Sequence, residues 1–468
     1  MFEVTVHPRP AHLLRTIAGE EVGGGYETTV RAARRALDGR TVWHVNSAAG
    51  GGGVAELLAA TLGYLAEDGI TARWLVIEGD PDFFEITKRI HNRLHGVLGD
   101  GGPLGEAERR HYEAVIHENL GGTDPIRPGD VVVVHDPQPL GLVPALHERG
   151  ATVIWACHVG IETPNQLVRS AWEFLLDDTK SADAITFSRD ASVWEVLDRA
   201  RVRIIPPCID ALSPKNEAIE PDRRDAILRV TGLVAPEDGE DPLLTFRRWD
   251  GTIAPIEHRA EIIEEAPVPH DARLVTQVSR WDALKDPAGV LRGFVEQPDL
   301  EDVHLVLAGP ATGSVADDPE AAQVLRDLHD SSGTLPDDDR RRVHLANIPT
   351  DDVDENATIV NALQRRSDVV VQKSVAEGFG LTVTEAMWKS RPVVAGRVGG
   401  IQDQIENGVS GILVDPRDLT AFGNAIDAVL RDPSLAEGLG AAARDRVREH
   451  YLTPHYLGAY LQLFVELR

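Results

Sequence analysis

The chain has 468 residues, enough for two domains or three, with 42% hydrophobic and 26% charged residues, the balance of an ordinary globular protein. Asp and Glu number 75 against 47 Lys and Arg, a formal net charge of −28. That excess excludes nucleic-acid or anionic-membrane binding driven by bulk charge, so a phosphate-bearing ligand needs a local device. Only six residues are lysine: Lys88, Lys180, Lys215, Lys285, Lys373 and Lys389. Residues 1–14 lack the charged segment and apolar core of a signal peptide, and no apolar run reaches membrane-spanning length. Two cysteines, Cys157 and Cys208, make no disulfide framework. A cytoplasmic, reducing location is expected.

Short β-branched runs alternate with longer helical stretches. Thr41–Ser47 reads as a strand, Gly50–Gly53 as a tight loop, Val54–Glu67 as a helix and Ala72–Ile77 as a strand, together one βαβ unit. Val131–His135, Thr152–Cys157, Ala184–Phe187 and Val202–Ile205 continue the series. These strands are largely apolar rather than alternating, as parallel strands covered on both faces are. From Pro206 to about residue 270, Pro- and Asp-containing sequence predicts no strand series and marks a boundary with an insertion. A second series follows: Leu274–Val278, Val303–Ala308, Val343–Leu345, Val369–Gln372, Val393–Ala395 and Ile412–Val414. Helical segments Leu419–Leu430, Leu435–His450 and Pro454–Glu466 close the chain. The expected fold is α/β, two Rossmann-like doubly wound domains in tandem over 1–210 and 211–450. The helix in 451–468 is expected to return to the first of them. Such sheets bind ligands at the carboxyl ends of their strands, and tandem domains bind them in the cleft between.

Four motifs could carry chemistry. The run Gly50-Gly51-Gly52-Gly53 between strand and helix offers backbone N–H donors to an oxyanion, or is simply a flexible turn. It has neither the Lys-Ser/Thr of a Walker A loop nor the spacing of a dinucleotide fingerprint. Arg280 and Lys285 follow the first strand of the second series. A planar donor fork and a point charge suit a diphosphate, and a solvated helix start is the alternative. Glu377 and Glu385 lie eight apart, the first in a glycine-containing loop and the second one turn into a helix. Both can take ligand hydroxyls, or they are two unrelated surface acids. Val398-Gly399-Gly400-Ile401 is a second donor loop, although Gly-Gly also ends strands. Lys373 precedes the third motif. His135 and His158 end strands of the first domain, while the other 15 histidines read as surface or core. No HExxH or Cys/His cluster occurs, so no metal is expected. Asp80-Pro-Asp82 fits the Asp-x-Asp of metal-dependent sugar transferases, a match so acidic a chain produces by chance. Asp317-Asp318 and Asp337–Asp339 read as solvated loops.

Arg280 with Lys285, and Glu377 with Glu385 in a Glu-x7-Glu spacing, together resemble the retaining glycosyltransferases of family 4 with the GT-B fold. Longer stretches resemble the trehalose glycosyltransferring synthases: His44–Ser47, Gly51–Glu56, Val76–Gly79, Phe83–Lys88, His91–Gly96, His135–Gln138 and Gln372–Trp388. The resemblance covers about 40–210 and 272–468, leaving out the first 40 residues and part of 236–270.

The resemblance implies transfer of glucose from a nucleoside diphosphate glucose to glucose, giving α,α-trehalose reversibly and without a metal or other cofactor. It implies an acceptor-side first domain and a nucleotide-sugar-binding second one. Arg280 and Lys285 would neutralise the diphosphate, Glu377 would bind the donor sugar's hydroxyls and Glu385 the ribose. The His158 backbone carbonyl would face the reacting carbon. Gly51, Gly52, Gly53, Gly378, Phe379, Gly380 and Leu381 would line the nucleotide sugar. Asn46, Glu56, His135, Asp136 and Lys373 would line the acceptor. One departure follows His158, where an acidic residue is expected two places on and the nearest is Glu162. The implied partners are the sugar nucleotide with glucose or trehalose, no nucleic acid and no membrane; a homodimer is the candidate assembly. A retaining trehalose phosphorylase and a family 4 enzyme with another acceptor stay open. Lys285, Lys373, Arg280 and the glycine amides together would form a local positive device.

Overall fold

The computed structural model describes residues 1–50, 53–237, 243–297, 302–311 and 319–468. Gly51, Gly52 and the Asp317-Asp318 run lie outside the described residues. Two compact units emerge: Met1–Asp210 with Tyr451–Arg468, and Ala211–His450.

The first unit contains β1 (Phe2–Val4), α1 (Ala11–Ala18), α2 (Glu20–Ala36), β2 (Val42–Asn46), α3 (Gly53–Glu67), β3 (Ala72–Val76) and α4 (Pro81–Leu94). It continues through α5 (Glu106–Asn119), β4 (Val131–His135), α6 (Val143–Glu148), β5 (Thr152–Cys157), α7 (Gln166–Thr179), β6 (Ala184–Phe187) and β7 (Val202–Ile204). The sheet order is β1-β3-β2-β4-β5-β6-β7, with β1 antiparallel and the rest parallel. Neighbouring β2 and β4 lead their connections to opposite sides, so a topological switch point opens at their carboxyl ends. All five residues of β4 are buried, which explains the unbroken Val131–Val134 run. Asp80 caps α4, accepting the Phe83 N–H at 2.8 Å with Pro81 in the first turn. The Asp80-Pro-Asp82 match is thereby a helix start.

The second unit contains α8 (Pro221–Val230), β8 (Thr245–Arg247), β9 (Ile253–Pro255), β10 (Glu261–Ile263), β11 (Arg273–Val278), α9 (Pro287–Val295), β12 (Val303–Pro310) and α10 (Pro319–Gly333). Then come α11 (Asp337–Arg340), β13 (Val343–Ile348), α12 (Val353–Arg366), β14 (Val369–Gln372), α13 (Leu381–Trp388), β15 (Val393–Gly396), α14 (Ile401–Gln404), β16 (Ile412–Val414), α15 (Leu419–Arg431) and α16 (Pro433–His450). Its sheet order is β10-β13-β12-β11-β14-β15-β16, with β10 antiparallel at one edge. Here the switch point lies between β11 and β14.

The structure corrects the sequence reading in two places. The stretch to residue 270 holds three three-residue strands, the hairpin β8–β9 and the edge strand β10. Their hold comes from packing: Phe246 of β8 and Ala254 of β9 are buried with Ile227 and Leu228 of α8. Asp337–Asp339, read as a solvated loop, lies in the short helix α11 (Asp337–Arg340). The first 40 residues, left without a role, supply the edge strand β1 and the helix α2. The final helix, α17 (Thr453–Glu466), packs on α2, and Tyr460 joins Thr186 of β6 at 3.0 Å, within the first unit. Among the described residues, no helix is long and apolar enough to cross a membrane.

Candidate functional site

In the second unit the site grows from two loops at the switch point. After β11, Asp282 caps a short turn, accepting the Leu284 N–H at 2.8 Å. Gln277 of β11 donates to the Lys285 carbonyl at 3.2 Å. Asp286 then takes a left-handed conformation (φ 48°) and caps α9 through the Gly289 N–H at 3.0 Å. After β14 come Lys373, Ser374 and Glu377, and Gly380 (φ 91°) turns the chain into α13. The φ at Gly380 is one a side chain rarely adopts.

The two loops meet side chain to side chain. Lys285 Nζ donates to Glu377 Oε2 at 2.5 Å, and Ser374 Oγ donates to the same oxygen at 3.2 Å. Buried Lys373 pairs with Asp286, and Arg280 pairs with Asp282 at 3.0 Å while staying largely exposed. The expected positive device is therefore three ion pairs rather than free cations. Each carboxylate holds its cation in place and offsets its charge. Lys373 belongs to this group, apart from the other expected acceptor residues, which lie in the first unit.

The Val398–Ile401 loop supports this arrangement. Gly400 N–H donates to the Gly378 carbonyl at 3.0 Å, and Gln404 Nε2 donates to the Phe379 carbonyl at 2.5 Å. Phe379 is buried, and half-buried Leu381 begins α13. A Cβ on Gly399 would fall 1.6 Å from the Glu377 carbonyl oxygen, so only glycine permits this close approach.

Glu385, on the buried face of α13, has its Oε1 3.6 Å from Lys215 Nζ. Its Oε2 is buried without a hydrogen-bond partner. Such an oxygen costs about 1–3 kcal/mol, and a ligand hydroxyl would relieve it. Lys389 lies alongside, donating to Gln364 Oε1 at 2.7 Å, Asn216 Oδ1 at 3.1 Å and the Glu385 carbonyl at 3.2 Å. Burial pushes Lys389 well below the ordinary lysine range, with the Glu385 charge opposing. Three of the six lysines thus contact the two glutamates, and a fourth, Lys373, pairs with Asp286. Scarcity of lysine was the available signal for Lys215 and Lys389, and the sequence reading did not use it for them. Asp282, Asp286 and Ser374 carried no such signal. Glu385→Gln is expected to raise KM for a substrate whose hydroxyl meets Oε2 about tenfold while leaving kcat within about threefold, measured by initial rates; an unchanged KM would sink the ligand contact.

In the first unit, Asn46 ends β2. Its Nδ2 donates to the Ala48 carbonyl at 2.7 Å and its Oδ1 accepts from Trp74 Nε1 at 2.8 Å, so the amide anchors the loop at both ends. Gly53 is the exposed first residue of α3, and Glu56 is exposed in its first turn. Asp136, after β4, adopts φ 63° and accepts the His158 backbone N–H at 2.9 Å. Glu162, the acid nearest to His158 in sequence after it, pairs with Arg189 at 2.7 Å. His44, His135 and His158 form a line: His44 Nδ1 to His135 Nε2 is 2.9 Å, and His135 Nδ1 to His158 Nε2 is 3.0 Å. His44 stood in a quoted motif without an assigned role.

Burial pushes all three imidazoles down: His44 to about 3, His135 well below its usual range, and His158 less far because the Asp136 charge opposes. The unfolded chain then binds protons, near pH 6.5 and below, that the folded chain refuses. Stability is expected to be full above that value and to fall with pH, by up to about 1.4 kcal/mol per unit for each ring. Thermal melts from pH 7.5 to 5 check this, and a shallower slope in His44→Phe assigns its share.

Tandem Rossmann-like units, each with polar groups at the switch point of its sheet, are the architecture of the GT-B glycosyltransferases. HepE of Anabaena in complex with UDP-glucose has the same fold, at TM-score 0.60 and 14% identity over 91% of this chain and 98% of that one. Residues 44–193 match the trehalose synthase N-terminal domain and 351–446 the glycosyl transferases group 1 family. The chain is 34% identical to the trehalose synthase of Pyrococcus horikoshii over 458 residues, 97% of this chain and 95% of that one. It is 34% identical to that of Rubrobacter xylanophilus over 92% and 91%. A trehalose phosphorylase of Pleurotus pulmonarius is 27% identical over 89% of this chain and 55% of its own length. The chain belongs to the trehalose synthase family and is a hexosyltransferase of trehalose-related glycosyl transfer.

Proposed function

We propose that the protein moves glucose, with retention, from a nucleoside diphosphate glucose to glucose, forming α,α-trehalose in a reversible reaction. The observation that carries this reading is the pairing of Lys285 with Glu377 beside Glu385, whose buried Oε2 has no partner. As the diphosphate leaves the anomeric carbon, negative charge grows on phosphate and oxocarbenium character on the sugar. Arg280 and Lys285 take the first, exchanging their carboxylate partners for phosphate oxygens. Glu377 accepts from donor-sugar hydroxyls and Glu385 from the ribose. His158 and Asp136 lie on the acceptor side with Glu56. The leaving phosphate takes the acceptor's proton, so the new bond forms on the face the leaving group quits. Cations already stand at the strand ends, so the reaction proceeds without a metal, and excess EDTA is expected to leave the rate unchanged.

The test is the reverse reaction. The protein is incubated with trehalose and, separately, UDP, ADP or GDP, and sugar nucleotide and free glucose are measured. Stoichiometric release with at least one nucleotide is expected. Glucose 1-phosphate from trehalose and inorganic phosphate, with no sugar nucleotide, would make the protein a phosphorylase instead.

A further inference from the structure

The line of three histidines has a direction. The ring centroids are 5.2 and 5.3 Å apart and the ring planes differ by 20° and 11°. With N···N distances of 2.9 and 3.0 Å, the rings lie end to end rather than face to face. Each neutral ring carries one N–H, and each link needs one. Only two arrangements satisfy both links, and all three protons shift together between them. In one, every ring is protonated on Nδ1, so protons point from His44 toward His158. In the other, every ring is protonated on Nε2 and they point back.

Two observations choose between them. His44 Nε2 is buried without a hydrogen-bond partner, against a cavity of about 10 Å³ lined by Thr61, Leu62 and Leu65 of α3 with Tyr456, Tyr460 and Phe464 of α17. An orphaned buried N–H costs more than an orphaned lone pair, so the proton leaves this end. At the other end, the Asp136 carboxylate accepts the His158 backbone N–H, and its charge favours protons pointing toward it. A second line in the other unit shows the same rule: His304 Nδ1 meets His344 Nε2 at 2.9 Å, and His344 Nδ1 faces Glu264 at 2.6 Å.

We propose that His44 and His135 are positioning residues that fix His158 as the Nδ1–H tautomer, making it a hydrogen-bond donor to a hydroxyl of the bound sugar. Only the identity of that acceptor rests on the proposed reaction; the tautomer is a property of the free protein. His158 is half-buried, and Nδ1 is its ring nitrogen outside the line.

Nitrogen-15 NMR of histidine-labelled full-length protein at pH 7.5, with His158→Gln to assign the signal, reads the tautomer directly. His158 is expected to show Nδ1–H at tenfold excess or more, about 1.4 kcal/mol. A dominant Nε2–H form overturns the proposal, whatever reaction the enzyme catalyses. His44→Asp places an acceptor against His135 Nε2 and is expected to reverse the line, switching His158 to Nε2–H. A folded His44→Asp protein with His158 unchanged overturns the relay. If that variant does not fold, His135→Phe cuts the link, and a strict Nδ1–H preference at His158 surviving there overturns it equally.

Discussion

Lys285→Ala is expected to lower kcat about 100- to 1,000-fold in either direction of the reaction. The lysine is held by its own carbonyl, which accepts from Gln277, and by the turn that Asp282 caps, so its ammonium arrives already oriented. Removing one preorganised group that meets developing charge costs about that factor. The variant also strips Glu377 of its partner. Side-chain exposures of 18% and 11% leave that pair partly wet, so the stability loss should be near 1 kcal/mol, roughly 2–4 °C in Tm for a unit of this size. Lys285→Arg keeps the charge but not its point geometry and should recover only part of the rate. Steady-state kinetics beside a thermal melt separates the two losses. A kcat within threefold of the parent would remove Lys285 from leaving-group stabilisation.

Gly399→Ala is expected to cost a similar factor without touching an ionisable group. Its Cβ would sit 1.6 Å from the Glu377 carbonyl oxygen and 2.7 Å from the carbonyl carbon. Both are backbone atoms, so no flexible side chain can yield. The loops must separate by more than about 1 Å, and a misplacement of that size at a reacting centre costs on the order of 100-fold. Gly438→Ala is the control, since its Cβ meets nothing within 4 Å inside α16. It should leave activity intact and keep or raise Tm. Equal activity in the two variants would show that the Gly399 contact positions nothing.

Much of the architecture was legible because parallel strands advertise themselves. Val131–Val134 and Val369–Val371 are apolar runs that only a sheet covered on both faces uses well. Four three-residue strands, β1, β8, β9 and β10, escaped notice because they stand outside the alternating strand–helix series that marks the equally short β7 and β16, and they owe their existence to their neighbours. At the site, Arg280, Lys285, Glu377 and Glu385 could be picked out because glycine loops and strand ends frame them. Lys215 lies 170 residues from Glu385, and nothing local marks it. The pairing of the cations was equally hidden, since Asp286 and Lys373 meet only when β11 and β14 become neighbours. Asn46 is an acceptor contact only as the resemblance implies; in the structure its amide donates to the Ala48 carbonyl and accepts from Trp74, which the sequence does not show.

The lysine distribution has a practical side. Lys215 and Lys285 are half-buried and Lys373 and Lys389 buried, each facing a carboxylate or amide oxygen. Lys88 and Lys180 are exposed, and both belong to the first unit, as does the amino terminus. Amine-reactive labels and resins will therefore attach the molecule mainly through that unit, since the lysines of the other are buried or half-buried and paired.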